Sequence, residues 1–242
     1  MSLLSRIFPP VSTPQGKATW LLFTAPWIML VWKFGCEPAT LQRFFERVGG
    51  ESIWHGSGGL ASMLAGVFLF GIGPAFVVRR VFREKLSDYG GGLGDRFRTV
   101  RSFLIALPVA IIGTYWGSFE PSLPQYYPLN PAAGDSVTVF LVHATAYLAF
   151  YFAWEFYFRG FLQHGMAPAF GMVPAALVQN MASALMHIGK PGAEAFVSIL
   201  GGLLWGWLVC RTRSIVSGSL QHAFLGIGLD VLLCLRQHGF RI

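Results

Sequence analysis

From Ser62 to Val78 the chain reads SMLAGVFLFGIGPAFVV, a run with no charge and no alternation of polar and apolar positions. A strand of a membrane barrel alternates every second residue over about ten positions, and a half-buried soluble helix keeps a polar face. This run does neither, so it predicts a helix that is apolar on every side and about as long as a bilayer core requires. It belongs to one of seven uncharged windows, 18–32, 52–78, 102–119, 136–154, 160–189, 195–210 and 214–229, which together hold more than half the chain.

Of the 242 residues 54% are hydrophobic and 12% charged, about half the charged share of an ordinary soluble domain. A soluble globular enzyme is excluded. The expected fold is all-α, a polytopic membrane bundle of about seven to eight transmembrane helices that forms a single integral membrane domain over 1–242. The net charge of +7 then marks cytoplasmic loops, and no nucleic-acid partner is expected. Cys36, Cys210 and Cys234 are odd in number and show no metal-binding spacing, so neither a disulfide framework nor a zinc finger follows.

Seven basic residues (Arg79, Arg80, Arg83, Lys85, Arg96, Arg98, Arg101) stand against Glu84, Asp88 and Asp95 between two of the windows, which predicts a cytoplasmic loop. The next connection, EPSLPQYYPLNPAAGD at 120–135, has no Lys or Arg and is predicted to be external. Alternate counting puts the N-terminal side inside, Arg211–Arg213 inside again and RQHGFRI at 236–242 outside. The stretch 18–32 is followed by no small-x-small cleavage pattern and is expected to be a retained first span. The charged and aromatic segment 40–48 is expected on the membrane surface. The setting expected for such a chain is a bacterial inner membrane.

The window 160–189 is too long for one span, and MAPAFGMVP at 166–174 breaks it through Pro168, Gly171 and Pro174. If the fourth helix runs on to about Met166, Glu155 lies about 16 Å and His187 about 20 to 23 Å from the turn, and the two meet inside the bilayer.

Ionisable residues within spans are costly and mark candidate sites. On the fourth helix His143, Tyr147, Tyr151, Glu155 and Arg159 recur every four residues and share one face. On the fifth, Asn180, Ser183 and His187 form a stripe; on the last, Ser214, Gly218, His222, Gly226 and Asp230 do. The sixth opens with Glu194 and continues with Ser198, Gly202 and Gly206, a small-residue row read as close packing. Taken singly, Glu155 with Arg159 reads equally as a self-neutralising pair, His143 as structural, and Glu194 and Asp230 as helix-end residues. His55, His164 and His238 fall near expected loops or turns.

One carboxylate, two imidazoles and a guanidinium are the parts of a hydrolytic site: a base for water, a proton shuttle or oxyanion donor, and a group that orients the carboxylate. No Ser or Cys stands in a nucleophile motif. Zinc held by Glu155, His187 and His222 ranks second, since HExxH is absent. A proton-coupled transporter lacks the inverted repeats of that class.

WEFYFRGFL at 154–162, SALMHIGKPGAE at 183–194, GGLLWGWLVCRTRSI at 201–215 and SLQHAF at 219–224 resemble, in order and spacing, the motifs of the CAAX-protease and bacteriocin-processing family of intramembrane endopeptidases. SDYGGGLGDRFR at 87–98 and QYYPLNP at 125–131 are similar to it less specifically. The resemblance covers about 137–235. It implies peptide hydrolysis in the membrane by a Glu-activated water, a chemistry also described as metal-dependent, with no cofactor assigned. The family pattern is EExxxR, FxxxH and HxxxN or a similar residue. Glu155 then matches the second Glu, Arg159 the Arg, and His187 and His222 the two histidines, all four as catalytic residues. Trp154, Tyr151, Glu194 and Asp230 are expected around the substrate, a membrane-associated or lipidated protein or peptide. Trp154 stands where the pattern has its first Glu, Ser183 where it has Phe, and Gly226 where it has Asn. The first departure leaves open a catalytically silent scaffold or immunity-type protein on the same fold.

Overall fold

The computed structural model describes residues 9–49 and 56–237, so His55 and His238 lie outside the described residues. Eight helices account for nearly all regular structure: α1 (Pro14–Gly35), α2 (Pro38–Gly49), α3 (Ser57–Phe82), α4 (Arg96–Gly117), α5 (Val137–Phe170), α6 (Met172–Leu185), α7 (Gly192–Thr212) and α8 (Val216–Gln237). Among the described residues there is no strand. The chain is a polytopic helical bundle and an integral membrane protein. Five helices (α3, α4, α5, α7 and α8) are long and apolar enough to cross a bilayer, or six if α1 and α2, bent by 51° at their junction, form one broken span. α6 is shorter and apolar.

Helix starts follow from local chemistry. The Thr13, Asp95 and Ser136 side chains accept the Gly16, Arg98 and Val139 N–H groups at 3.0, 3.0 and 3.2 Å, satisfying donors that a first turn leaves free. The long window breaks where MAPAFGMVP predicts, although the turn falls at Gly171 (φ +83°), so α5 extends four residues beyond Met166.

α5 is the axis of the bundle. From Tyr151 to Gln163 its residues are buried with one exception, Phe152, as expected of a helix enclosed on all sides. α3 and α8 pack along it, α1 and α6 cover its C-terminal half, and α4 closes against α8. Phe68, Ile72, Phe76, Val109, Trp116, Phe196 and Leu200 are more than half exposed on the outside, an arrangement suited to lipid. Within, Phe70 is wholly buried with ring centroids 5.0 to 5.7 Å from Tyr157, Trp154 and Trp32.

Segments expected on one side of the membrane share an end of the bundle. At one end, the loop after α3 docks on the α7–α8 turn: Asp95 N–H donates to Thr212 O at 2.7 Å, Ile215 N–H to Gly90 O at 3.0 Å, and the Ser214 hydroxyl to Gly92 O at 2.5 Å. Gly94 needs its φ of +53°, and a Cβ there would strike the Thr212 carbonyl. Lys17 on α1 meets Glu84 at 2.5 Å, and the Tyr89 hydroxyl donates to the same carboxylate. Burial and that carboxylate push the Tyr89 phenol well above its ordinary range, which keeps it a donor. At the other end, Arg236 reaches the Ser118 carbonyl at 3.3 Å and lies over the Phe119 ring.

If the basic end is cytoplasmic, Gly92→Cys and Gln125→Cys, each introduced after Cys36, Cys210 and Cys234 are replaced by alanine, will be labelled from opposite sides. Gly92 has open space around its Cβ position and Gln125 is exposed. An impermeant maleimide should modify position 125 in intact cells and position 92 only after permeabilisation; labelling of both from one side refutes the topology.

Candidate active site

α5 turns its polar stripe toward α8. The Glu155 carboxylate is wholly buried, and His222 Nδ1 lies 2.9 Å from its Oε1. An ionised Glu accepts there, so the imidazole carries its proton on Nδ1 and leaves Nε2 without a protein partner among the described residues. Arg159, one turn along α5, places Nη1 3.3 Å from the same oxygen in charge contact rather than hydrogen-bond geometry. Glu155 Oε2 and Arg159 Nε are also buried without a partner among the described residues. Gly218 leaves room beside that free oxygen, 3.5 Å from where a Cβ would stand.

The His222 ring is fixed on two sides. Trp205 stacks on it with centroids 4.3 Å apart at 25°, and Tyr151 lies 4.4 Å away. Trp205 is held in turn by Gln221, whose Oε1 accepts its indole N–H at 3.1 Å, and it also lies 5.5 Å from the Arg159 guanidinium.

Arg159 sits in a wider helical turn, Phe156–Leu162, that begins just after Glu155. Such turns loosen the i to i−4 ladder and recur at functional sites. His164 Nδ1 satisfies the Arg159 carbonyl at 2.8 Å, which gives that histidine a role its position near an expected turn did not suggest.

α6 and α7 close the polar seam. Gln163 Nε2 donates to Gly206 O at 3.0 Å and Gln179 Nε2 to Gly202 O at 3.3 Å. A Cβ on Gly202 would collide with Asn180 Oδ1 and come within 3.1 Å of Arg159 Nη2. The glycine row therefore makes room for polar side chains from α5 and α6, which the packing reading of the sequence did not foresee.

A cavity of about 1340 Å³ opens between α4, α5, α7 and α8. Tyr151, Trp154, Arg159, His187, Glu194 and His222 reach its wall, whereas Glu155 lies behind His222. His187 Nδ1 is 3.0 Å from the Ser183 carbonyl, and the Trp154 ring stands edge-on to His187 at 6.1 Å. Trp154 fills an aromatic nest, 4.7 Å from Phe158 and 5.5 Å from Phe70, with its indole N–H unpartnered.

Glu194 accepts the Tyr127 hydroxyl at 2.6 Å while its other oxygen is buried and free. Burial, and then the Glu194 charge, raise the Tyr127 phenol well above its usual range, so it remains protonated. Burial also lowers the Lys190 ammonium, which lies over the Tyr127 ring at 4.4 Å. Tyr127 was not singled out from the sequence, where a loop residue shows no periodicity and QYYPLNP is similar to the family only weakly. Asp230 is apart from the cavity: α8 runs on past it, and it meets His143 at 2.7 Å with both side chains fully buried. Among the described residues no three His, Cys, Asp or Glu side chains gather to hold a metal ion.

Residues 136–227, from the start of α5 to the middle of α8, match the family model described as type II CAAX prenyl endopeptidase Rce1-like. The match covers 92 of the 242 residues. The family is one of intramembrane CAAX proteases. No curated protein and no solved structure matched the chain. The Rce1-like segment contains Glu155, Arg159, His187 and His222, and the wall of the cavity that it does not supply comes from α4 and the loop before α5.

Gly202→Ala should force Asn180 and Arg159 aside and destabilise the protein by about 1 to 3 kcal/mol, the usual range for overpacking. Gly201→Ala, whose Cβ would make ordinary contact with Trp205 at 3.4 Å and beyond, should be near neutral. Thermal unfolding in detergent compares the two, and equal midpoints would contradict the close fit around Arg159.

Proposed function

We propose that the chain is an intramembrane endopeptidase that hydrolyses a peptide bond of a membrane-associated or lipidated protein, with Glu155 and His222 as its water-activating unit. The observation that carries this reading is the 2.9 Å contact between a wholly buried carboxylate and an imidazole on the wall of an interhelical cavity. Glu155 orients the ring and stabilises its charged form. His222 Nε2 takes a proton from water as the water oxygen adds to the scissile carbonyl, and returns it to the departing amine. This is general acid–base catalysis of the kind that contributes about 10²- to 10⁴-fold. His187 and the unpaired Arg159 donors face the same space and hold the substrate and its developing charge. In this arrangement Glu155 acts through His222, a division of labour that follows from its place behind the ring. The charge asymmetry of the loops fits a bacterial inner membrane with the basic end in the cytoplasm.

A second reading has one specific observation in its favour: the aromatic nest around Trp154 occupies the place of the first motif carboxylate. A silent scaffold would keep the fold and cut nothing.

An internally quenched peptide ending in a prenylated Cys, two aliphatic residues and a free carboxylate separates the two. The unmutated protein should cleave it, and Glu155→Gln, His187→Ala and His222→Ala should each lower the rate by at least about 100-fold while thermal unfolding shows a folded protein. Full activity in the Glu155 or His222 variant removes the proposed base. Absence of product from the unmutated protein, with product appearing in Trp154→Glu, establishes the scaffold.

A further inference from the structure

The family pattern has an amide side chain at 226, one turn beyond the α8 histidine, and this chain has Gly226. The missing side chain does not leave a hole. A Cβ built on Gly226 overlaps the Tyr151 hydroxyl, and the Tyr151 ring carbons are the next atoms it meets. Position 226 of α8 and position 151 of α5 therefore compete for one volume: an amide reaching from one helix or a phenol reaching from the other. Both are hydrogen-bond donors. Tyr151 and Gly226 also border the same cavity as His222, and the Tyr151 ring lies 4.4 Å from the imidazole. The Tyr151 ring also stacks on Tyr147 at 4.4 Å and 26°.

We infer that the Tyr151 hydroxyl is a catalytic hydrogen-bond donor to the oxyanion, occupying from α5 the place that a side chain at 226 of α8 would take. The inference rests on the endopeptidase reading. As the water oxygen bonds to the scissile carbon, the carbonyl π pair moves to oxygen, and Tyr151 O–H donates to that oxygen without giving up its proton. The bond is stronger to the anion than to the ground-state carbonyl, so it acts on kcat. Ring contacts with Tyr147 and His222 hold Tyr151, which fixes the hydroxyl before the charge develops.

Tyr151→Phe keeps both ring contacts and removes the donor. On the prenylated peptide it should lower kcat by about 10²-fold, the usual effect of losing one oxyanion donor, with KM within about twofold. Gly226→Ala, which displaces the hydroxyl without removing it, should show the same pattern. Tyr151→Ala with Gly226→Asn should recover activity relative to Tyr151→Ala alone, since the ring that blocks position 226 is gone and a donor returns from α8.

Binding decides the matter independently of turnover. A phosphonate analogue of the peptide carries a tetrahedral anion at the scissile position. The unmutated protein should bind it at least tenfold more tightly than the uncleaved parent peptide does, and Tyr151→Phe should remove that difference while parent-peptide affinity is kept. Full kcat in Tyr151→Phe, or an equal loss of affinity for both ligands, overturns the inference. If the unmutated protein cuts nothing, the endopeptidase reading fails by itself. In that case an unchanged phosphonate preference in Tyr151→Phe overturns the donor role, and its loss sustains the anion contact.

Discussion

The constraint on which the structure depends is a carboxylate held inside a membrane bundle. On insertion scales a lone charged residue at a helix centre costs about 2.5 to 3.5 kcal/mol. Removing one partner of a buried pair costs about 3 to 5 kcal/mol. Glu155 therefore has to be met by His222 from α8 and by Arg159 from its own helix, and each partner must be immobilised in turn. Trp205 serves both, stacked on the imidazole and lying beside the guanidinium. Lipid offers no hydrophobic drive for helices to associate. Packing and these polar contacts must bring α5, α7 and α8 together, so the chemistry of the site and the cohesion of the bundle come from the same side chains.

α5 meets this demand through its local geometry. A regular helix continuing from Glu155 would keep every carbonyl in the i to i−4 ladder. The wider turn over Phe156–Leu162 changes that pattern, and His164 takes up the Arg159 carbonyl. Within a membrane such a departure needs an internal partner, and His164, five residues on, is placed to be one. Around this turn the glycines of α7 give space to Gln163, Asn180 and Arg159, while Gln163 and Gln179 take the Gly206 and Gly202 carbonyls. The second pair between the same helices, His143 with Asp230, reverses the arrangement, with imidazole on α5 and carboxylate on α8. Two crossed carboxylate–imidazole contacts fix the register of α8 on α5 more firmly than one could.

Much of this was legible in the sequence because it is periodic. Uncharged windows mark the long helices, the fourfold spacing from His143 to Arg159 marks one face of α5, and MAPAFGMVP marks the break before α6. The charged loops also end up as counted: the 79–101 segment meets the α7–α8 turn, and Arg236 lies beside the 118–119 carbonyl and ring. What was not legible depends on contacts between helices whose rotation no periodicity specifies. Trp205 is one hydrophobic residue among many in GGLLWGW. Its position three residues after Gly202, on the glycine face, is the signal that could have singled it out. Asp230 looked like a helix-end group because an apolar window stops there, yet α8 continues to Gln237 and the residue is interior. Tyr127 belongs to a loop, and only the folded chain shows that it reaches Glu194.

The departures from the family pattern are best read by what occupies the space of the missing groups. At 226 a donor is lost from one helix and the volume holds a donor from another, so the chemical property survives the change of residue. At 154 the exchange is of a different kind. An indole lies among Trp32, Phe70, Phe150 and Phe158, and no second carboxylate replaces the one the pattern has there. Trp154 adds dispersion contacts there and an edge against His187. The environment of 154 has thus been built for an aromatic ring. If the site cuts peptides with Glu155 as the carboxylate behind its imidazole, the link from Glu155 through His222 to the cavity is the part of the structure that function would tolerate least change in.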